Sequence, residues 1–175
     1  MKKINLTLIL ILGIKFLYAQ KQANNWYFGY NAGITFNTNP PTMLSGGQLN
    51  SAEGCTNISD SNGNLLFYSD GVTVWNSAHA VMQNGTGLLG NFSSTQSGVI
   101  LPAPGSTTLY YLITAPVLGS INPLAYSIID ITLNGGLGGV TVKNVALFDT
   151  SAEKVTAVYN QNGTDMWIIA HGFPN

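Results

Sequence analysis

Arginine is absent from this 175-residue chain, and all six basic residues are lysines. Three of them, Lys2, Lys3 and Lys15, fall in an N-terminal apolar stretch. The rest of the chain sets Lys21, Lys143 and Lys154 against seven carboxylates, a formal charge of −4 (3 − 7). Neutralising phosphates takes clustered Lys and Arg, so three scattered lysines exclude a nucleic-acid track or an anionic membrane surface as partner. Cysteine occurs once, at Cys55, which excludes an internal disulfide and leaves stability to packing. Cys55 lies in an apolar-flanked stretch and reads as a small core residue, not a reactive thiol. His79 and His171 are the only histidines. Neither has a second imidazole or thiol at zinc spacing, and no Gly-x-Ser-x-Gly elbow is present for nucleophilic catalysis. Past residue 19 no apolar run approaches the ~20 residues that span a bilayer, so no transmembrane anchor is expected.

What is present begins with an export signal. Met1-Lys2-Lys3 is a short basic start, residues 4–18 are apolar, and Ala19 supplies the small residue that signal peptidase prefers. Residues 1–19 therefore read as a signal peptide, which predicts an exported protein, secreted or at the cell surface. After it, apolar residues come in runs of four to six between Gly, Asn, Pro and Ser clusters, with no helical spacing sustained over three turns. Strands are predicted at 26–28, 33–36, 55–58, 65–68, 72–75, 99–101, 109–113, 125–131, 140–142, 145–148, 155–159 and 166–170. Their Val, Ile, Tyr, Phe and Trp content suits a pleated surface. Asn62-Gly63, Asn84-Gly85, Asn134-Gly135 and Asn162-Gly163 supply the residues that tolerate positive φ in tight hairpins.

An internal repeat organises these strands. Ser51-Ala52-Glu53 recurs as Ser151-Ala152-Glu153, Thr56 as Thr156 and Asn62-Gly63 as Asn162-Gly163, all at an offset of 100 (151 − 51). A weaker copy lies between them, where Ser94-Thr95-Gln96 precedes the Pro104-Gly105 turn and the strand at 109–113. Four short strands per unit of roughly 40 to 50 residues is the period of propeller blades. The expected fold is all-β: a partial β-propeller of four-stranded antiparallel blades occupying residues 20–175. The blades fall at about 51–89, 94–148 and, in part, 151–175, with 26–36 as outer strands that would close the ring. The last unit stops after two strands, so the chain is expected to be a fragment of a longer protein. A β-sandwich is the alternative.

The run from Glu53 to Gly71 (EGCTNISDSNGNLLFYSDG), with Val74-Trp75-Asn76, His79, Met82 and Asn84-Gly85 after it, resembles the N-terminal region of large secreted proteins of Bacteroidota. Those proteins typically end in a gliding-motility-associated, type IX secretion sorting domain. Ser93 to Gln96, Pro102 to Gly105, Asn134 to Gly138 and Glu153 to Ala157 resemble the same family. The resemblance spans nearly all of the chain after the signal. It implies a propeller-like N-terminal domain on a secreted or surface protein, often followed by immunoglobulin-like modules, and it carries over no catalytic residue.

Glu53, Gln96 and Glu153 hold matching repeat positions just before a strand, and in a propeller such positions lie near the central channel. They are the candidate channel-facing polar residues: convergent polar groups in a concavity are what a ligand site needs. Alternatively, they hydrogen-bond neighbouring blade backbones. Asp60-Ser61-Asn62-Gly63-Asn64 spaces oxygens like a calcium loop but has no later bidentate Glu, so a hairpin turn is the simpler reading. No metal or cofactor is expected. The leading expectation is a non-catalytic extracellular or cell-surface module, the N-terminal part of a larger protein, with a glycan or protein ligand. The alternative is a carbohydrate-active or other hydrolytic enzyme, whose two carboxylates would have to stand roughly 5 to 9.5 Å apart.

Overall fold

The computed structural model describes residues 21–173, so the signal-peptide reading of residues 1–19 lies outside the described residues. The chain is all-β, and among the described residues twelve strands form four antiparallel sheets, each built from strands consecutive in sequence. The first sheet holds β1 (Asn25–Phe28), β2 (Ala32–Thr35) and β3 (Thr42–Met43). The second holds β4 (Thr56–Ser59), β5 (Leu65–Ser69) and β6 (Val74–Asn76). The third holds β7 (Gly98–Pro102), β8 (Leu109–Thr114), β9 (Leu124–Asp130) and β10 (Gly139–Phe148). The fourth is the hairpin of β11 (Ser151–Tyr159) and β12 (Met166–Gly172). None of the four sheets closes on itself.

The turns follow the chemistry of their residues. In the β4–β5 hairpin, Gly63 has φ 90°, a left-handed backbone that glycine adopts without steric cost. In the Asn134-Gly135 segment both residues are left-handed (φ 51° and 67°), which closes a four-residue turn between β9 and β10.

The segments at 26–28 and 33–36 pair with each other and with β3 in one three-stranded sheet. Two expectations change. The separate strands at 140–142 and 145–148 are one ten-residue strand, β10, whose register slips three times against β9; bulges absorb the polar Lys143-Asn144 break without ending the strand. The four-stranded unit expected at 51–89 has three strands, and the segment after β6 contributes only a Trp75–Val81 bridge, with Met82 N–H donating to Val74 O at 2.9 Å.

The sheets pack face to face through apolar layers. Between the second and third sheets, Ile58, Phe67, Val74 and Met82 meet Ile100, Leu112, Ile129 and Val140. Each sheet supplies one buried residue from each of four successive segments. Tyr27, Leu49 and Tyr68 fill the space between the first and second sheets. Leu101, Ile113, Ala115, Leu124 and Val155 fill that between the third and fourth. Period-2 alternation makes this possible, because alternate residues of one strand serve opposite layers: Leu112 faces the second sheet and Ile113 the fourth. The first strands of successive sheets are adjacent, β1 beside β4, β4 beside β7 and β7 beside β11.

That adjacency brings backbones close. A Cβ on Gly54 would lie 2.3 Å from Ser97 N and 2.6 Å from Ser94 O, both backbone atoms that cannot swing aside. Gly54→Ala should therefore destabilise the chain by about 2–3 kcal/mol or prevent folding, measured as the midpoint and slope of urea unfolding. At Gly105 an added Cβ meets nothing within 4 Å and only φ (74°) is unfavourable, so Gly105→Ala should cost about 1 kcal/mol. Equal effects at the two positions would contradict the close approach.

Candidate functional site

The segment at 91–97, which enters β7, is the seam of the molecule. Ser51 Oγ donates to Phe92 O at 2.9 Å and Gly54 N to Ser94 O at 3.0 Å, tying it to the second sheet. Ser94 Oγ donates to Ala115 O at 3.1 Å, and Ala115 N to Ser97 O at 3.1 Å, tying it to β8. Gln96 N donates to Glu153 O at 2.9 Å, tying it to the fourth sheet.

The Glu153 side chain adds three further links. Its Oε2 accepts from Thr95 N and Thr95 Oγ1, both at 3.1 Å, and its Oε1 accepts from Leu118 N at 2.7 Å. The backbone N–H of Leu118, then that of Thr95, holds its carboxyl below the ordinary glutamate value. The carboxylate is thus a bracket between the fourth sheet and two loops of the third. Gln96 and Glu53 are exposed. Glu53 is joined to the seam only through its backbone, whose N–H points at Phe92 O from 3.4 Å. The structure brings Gln96 and Glu153 together across the seam. A cavity of about 500 Å³ at this junction is lined by Thr95, Leu118, Ala152, Glu153, Lys154 and His171, and Glu53 does not line it. The repeat equates Glu53 with Glu153, but their side chains do different work.

Three further groups answer expectations from the sequence. Asp60 spends its carboxylate on its own turn, accepting from Asn62 N (2.8 Å), Asn64 N (2.8 Å) and Asn64 Nδ2 (2.9 Å). Desolvation pushes its carboxyl up, and the hydrogen bonds from Asn64, Asn62 and Gly63 together outweigh it, so its pKa lies below the ordinary value. A hairpin accounts for the oxygens that resembled a calcium loop, and among the described residues no group of three metal-ligating side chains assembles. Cys55 is half-buried, its Sγ donating to Tyr27 O at 3.3 Å, and burial raises its thiol pKa. His79 sits in a left-handed turn (φ 61°) beside the Tyr68 hydroxyl, Nδ1 to oxygen 3.1 Å.

Sequence reasoning missed the junction around His79. Tyr27 stacks on Tyr68 (centroids 4.9 Å apart, 18° between planes), Tyr68 stacks on Trp75 (5.6 Å, 16°), and His79 meets Tyr27 edge-on at 5.1 Å. Tyr68 is fully buried, and its hydroxyl accepts from Gln48 N at 3.0 Å. Beside it, Asn57 Oδ1 accepts from Tyr27 N at 2.6 Å, and Asn25 Nδ2 donates to Ser59 Oγ at 3.0 Å and Gly63 O at 2.7 Å. The asparagines and aromatics stand in separate strands with no fixed spacing, so only the fold assembles them. The group joins the first two sheets.

The chain matches no family model, no curated protein and no solved structure.

Because the Glu153 carboxyl is held below its ordinary value, its contribution to stability is present above the unfolded glutamate pKa of about 4.3. It is lost as pH falls through the folded value. Glu153→Gln should lower stability at neutral pH by roughly 0.5–1 kcal/mol, the small size reflecting solvent screening at this partly exposed site. The variant and the parent should converge once pH has fallen below that folded value. A pH series of urea midpoints checks this, and a constant difference across the series would contradict the bracket.

Proposed function

We propose that this chain is a non-catalytic interaction module of an exported protein, and that its four sheets are blades of a β-propeller. Three features support the propeller reading. The sheets are up-and-down meanders in sequence order, each packs face to face on the next, and their first strands are neighbours in succession. In this reading β1, β4, β7 and β11 line the axis. A sandwich would instead set two large sheets against each other. The export signal, and the resemblance to N-terminal regions of large secreted Bacteroidota proteins with type IX sorting domains, support a place at the cell surface or outside it. They also support membership of a longer chain. The ligand class that fits is an extracellular glycan or protein.

One observation carries the non-catalytic reading: both oxygens of Glu153 are committed to backbone and hydroxyl donors of the neighbouring sheet. A general acid or a nucleophile needs a carboxylate free to meet substrate. Glu53, the partner required by a two-carboxylate mechanism, does not line the cavity that Glu153 lines. The test is a glycan array together with a panel of glycoside and ester substrates, run on the parent, Glu53→Gln and Glu153→Gln. No turnover above background is expected from any of the three. Robust turnover by the parent that disappears in either variant, with its fold intact by circular dichroism, would establish the hydrolytic alternative.

A further inference from the structure

Four Asn-Gly pairs punctuate the chain, at 62–63, 84–85, 134–135 and 162–163, and turn formation does not exhaust their chemistry. The side-chain amide carbon of an asparagine lies within reach of the next residue's backbone nitrogen, and attack there closes a five-membered succinimide. Asparagine is labile for this reason, and a following glycine presents no Cβ to hinder the approach. The reaction asks two things of a fold. The side-chain amide must be free to turn, and the peptide after it must be free to rotate toward it.

Three of the pairs are held. Asn84 Nδ2 donates to Val140 O and its Oδ1 accepts from Lys143 Nζ, both at 3.0 Å, while Gly85 N donates to Met82 O at 2.8 Å. Asn162 Nδ2 donates to Asp165 Oδ2 at 2.7 Å, its Oδ1 accepts from Thr164 N and Asp165 N at 3.0 Å, and Gly163 N donates to Asn160 O at 2.9 Å. After Asn62 the peptide itself is fixed: Gly63 N donates to Asp60 O at 3.0 Å, and Gly63 O accepts from Asn25 Nδ2 and Asn37 Nδ2, both at 2.7 Å. The pair at 134–135 differs. Both residues are exposed, and among the described residues no hydrogen bond holds the Asn134 amide. A Cβ on Gly135 or on Gly136 meets nothing within 4 Å, so the peptide after Asn134 has open space around it. Asn134 O accepts from Leu137 N at 3.3 Å, a longer bond than the 2.9 Å from Gly138 N to Leu133 O that spans the same turn.

We infer that Asn134 is a site of spontaneous deamidation in the folded protein, with water as the co-reactant. Gly135 N bonds to Asn134 Cγ and gives its proton to solvent, the Cγ–Nδ2 bond breaks, and the amide nitrogen leaves as ammonia. Water then opens the succinimide, and the Gly135 nitrogen takes a proton back. Opening at Cγ gives aspartate; opening at the backbone carbonyl gives isoaspartate, in which the main chain runs through Cγ. Either product replaces a neutral amide by a carboxylate. Isoaspartate also lengthens a tight turn whose Leu133 side chain lies 3.2 Å from the Cβ position of Gly139, the first residue of β10. Beside it, Val140 N donates to Gln83 O at 3.0 Å, so the lengthened turn bears on the contact between the third and second sheets. The inference uses local geometry alone and is independent of the propeller reading.

The test is peptide mapping by mass spectrometry of the folded chain held in warm, mildly alkaline buffer, with all four pairs followed in one sample. Conversion at Asn134 should lead. Asn84 and Asn162 should lag it by at least about tenfold, because their side-chain hydrogen bonds must first open. Aspartate and isoaspartate should both appear at position 134, with one ammonia released per converted site. In guanidinium chloride, where the fold no longer discriminates, the four pairs should convert at similar rates. Asn134→Asp should remove the fast phase of ammonia release and leave conversion at the other three pairs unchanged. Any other pair converting as fast as Asn134 in the folded chain would overturn the inference. So would an intact Asn134 in the folded chain after the denatured chain has converted.

Discussion

The layer between the second and third sheets is the constraint on which the rest of the molecule depends. Ile58, Phe67, Val74 and Met82 interlock there with Ile100, Leu112, Ile129 and Val140, and most of these side chains are almost wholly removed from water. Each such burial contributes about 1.5–3 kcal/mol. No disulfide is available to replace it, since the chain has one cysteine. The layer also propagates. Once Leu112 is committed to one face of β8, Ile113 must point to the other, and that sets where the fourth sheet packs.

Packing sheets this closely at one edge requires backbone groups to meet with little between them. The short, polar residues around 51–54 and 91–97 answer that demand. Gly54 admits the 94–97 backbone, and the hydroxyls of Ser51 and Ser94 satisfy carbonyls of the neighbouring segments. Glu153 extends the same scheme to the fourth sheet with a charge-assisted bracket. Of the polar residues that the repeat singles out, Ser51 and Glu153 are thereby drawn into structural work.

Much of this was legible in the sequence because it is local. Strand positions follow from apolar runs, and the hairpins at Asn62-Gly63 and Asn162-Gly163 follow from residues that accept positive φ. What escaped was set by distant partners. β3, only Thr42–Met43, has no apolar run and exists because Ile34 and Thr35 pair with it. β10 reads as two strands because Lys143 and Asn144 interrupt its apolar pattern. In the fold, Lys143 Nζ reaches Asn84 Oδ1 at 3.0 Å and Asn144 Nδ2 reaches Gly87 O at 2.9 Å, so the polar pair fastens β10 to the second sheet's last loop. The candidate residues divide in the same way. The repeat places Glu53, Gln96 and Glu153 at matching positions, but no spacing rule indicates that only Glu153 would find Leu118 N and Thr95 N across a seam.

The central claim is that consecutive sheets are energetically coupled through the apolar layers between them. It is tested most directly by a double-mutant cycle across one layer. Phe67 on β5 and Tyr110 on β8 meet edge to face, with ring centroids 5.6 Å apart. The unfolding free energies of Phe67→Leu, Tyr110→Leu and the double variant should give a coupling energy of about 0.5–1.5 kcal/mol. Strictly additive losses would show that the two sheets do not share this contact and would contradict the account.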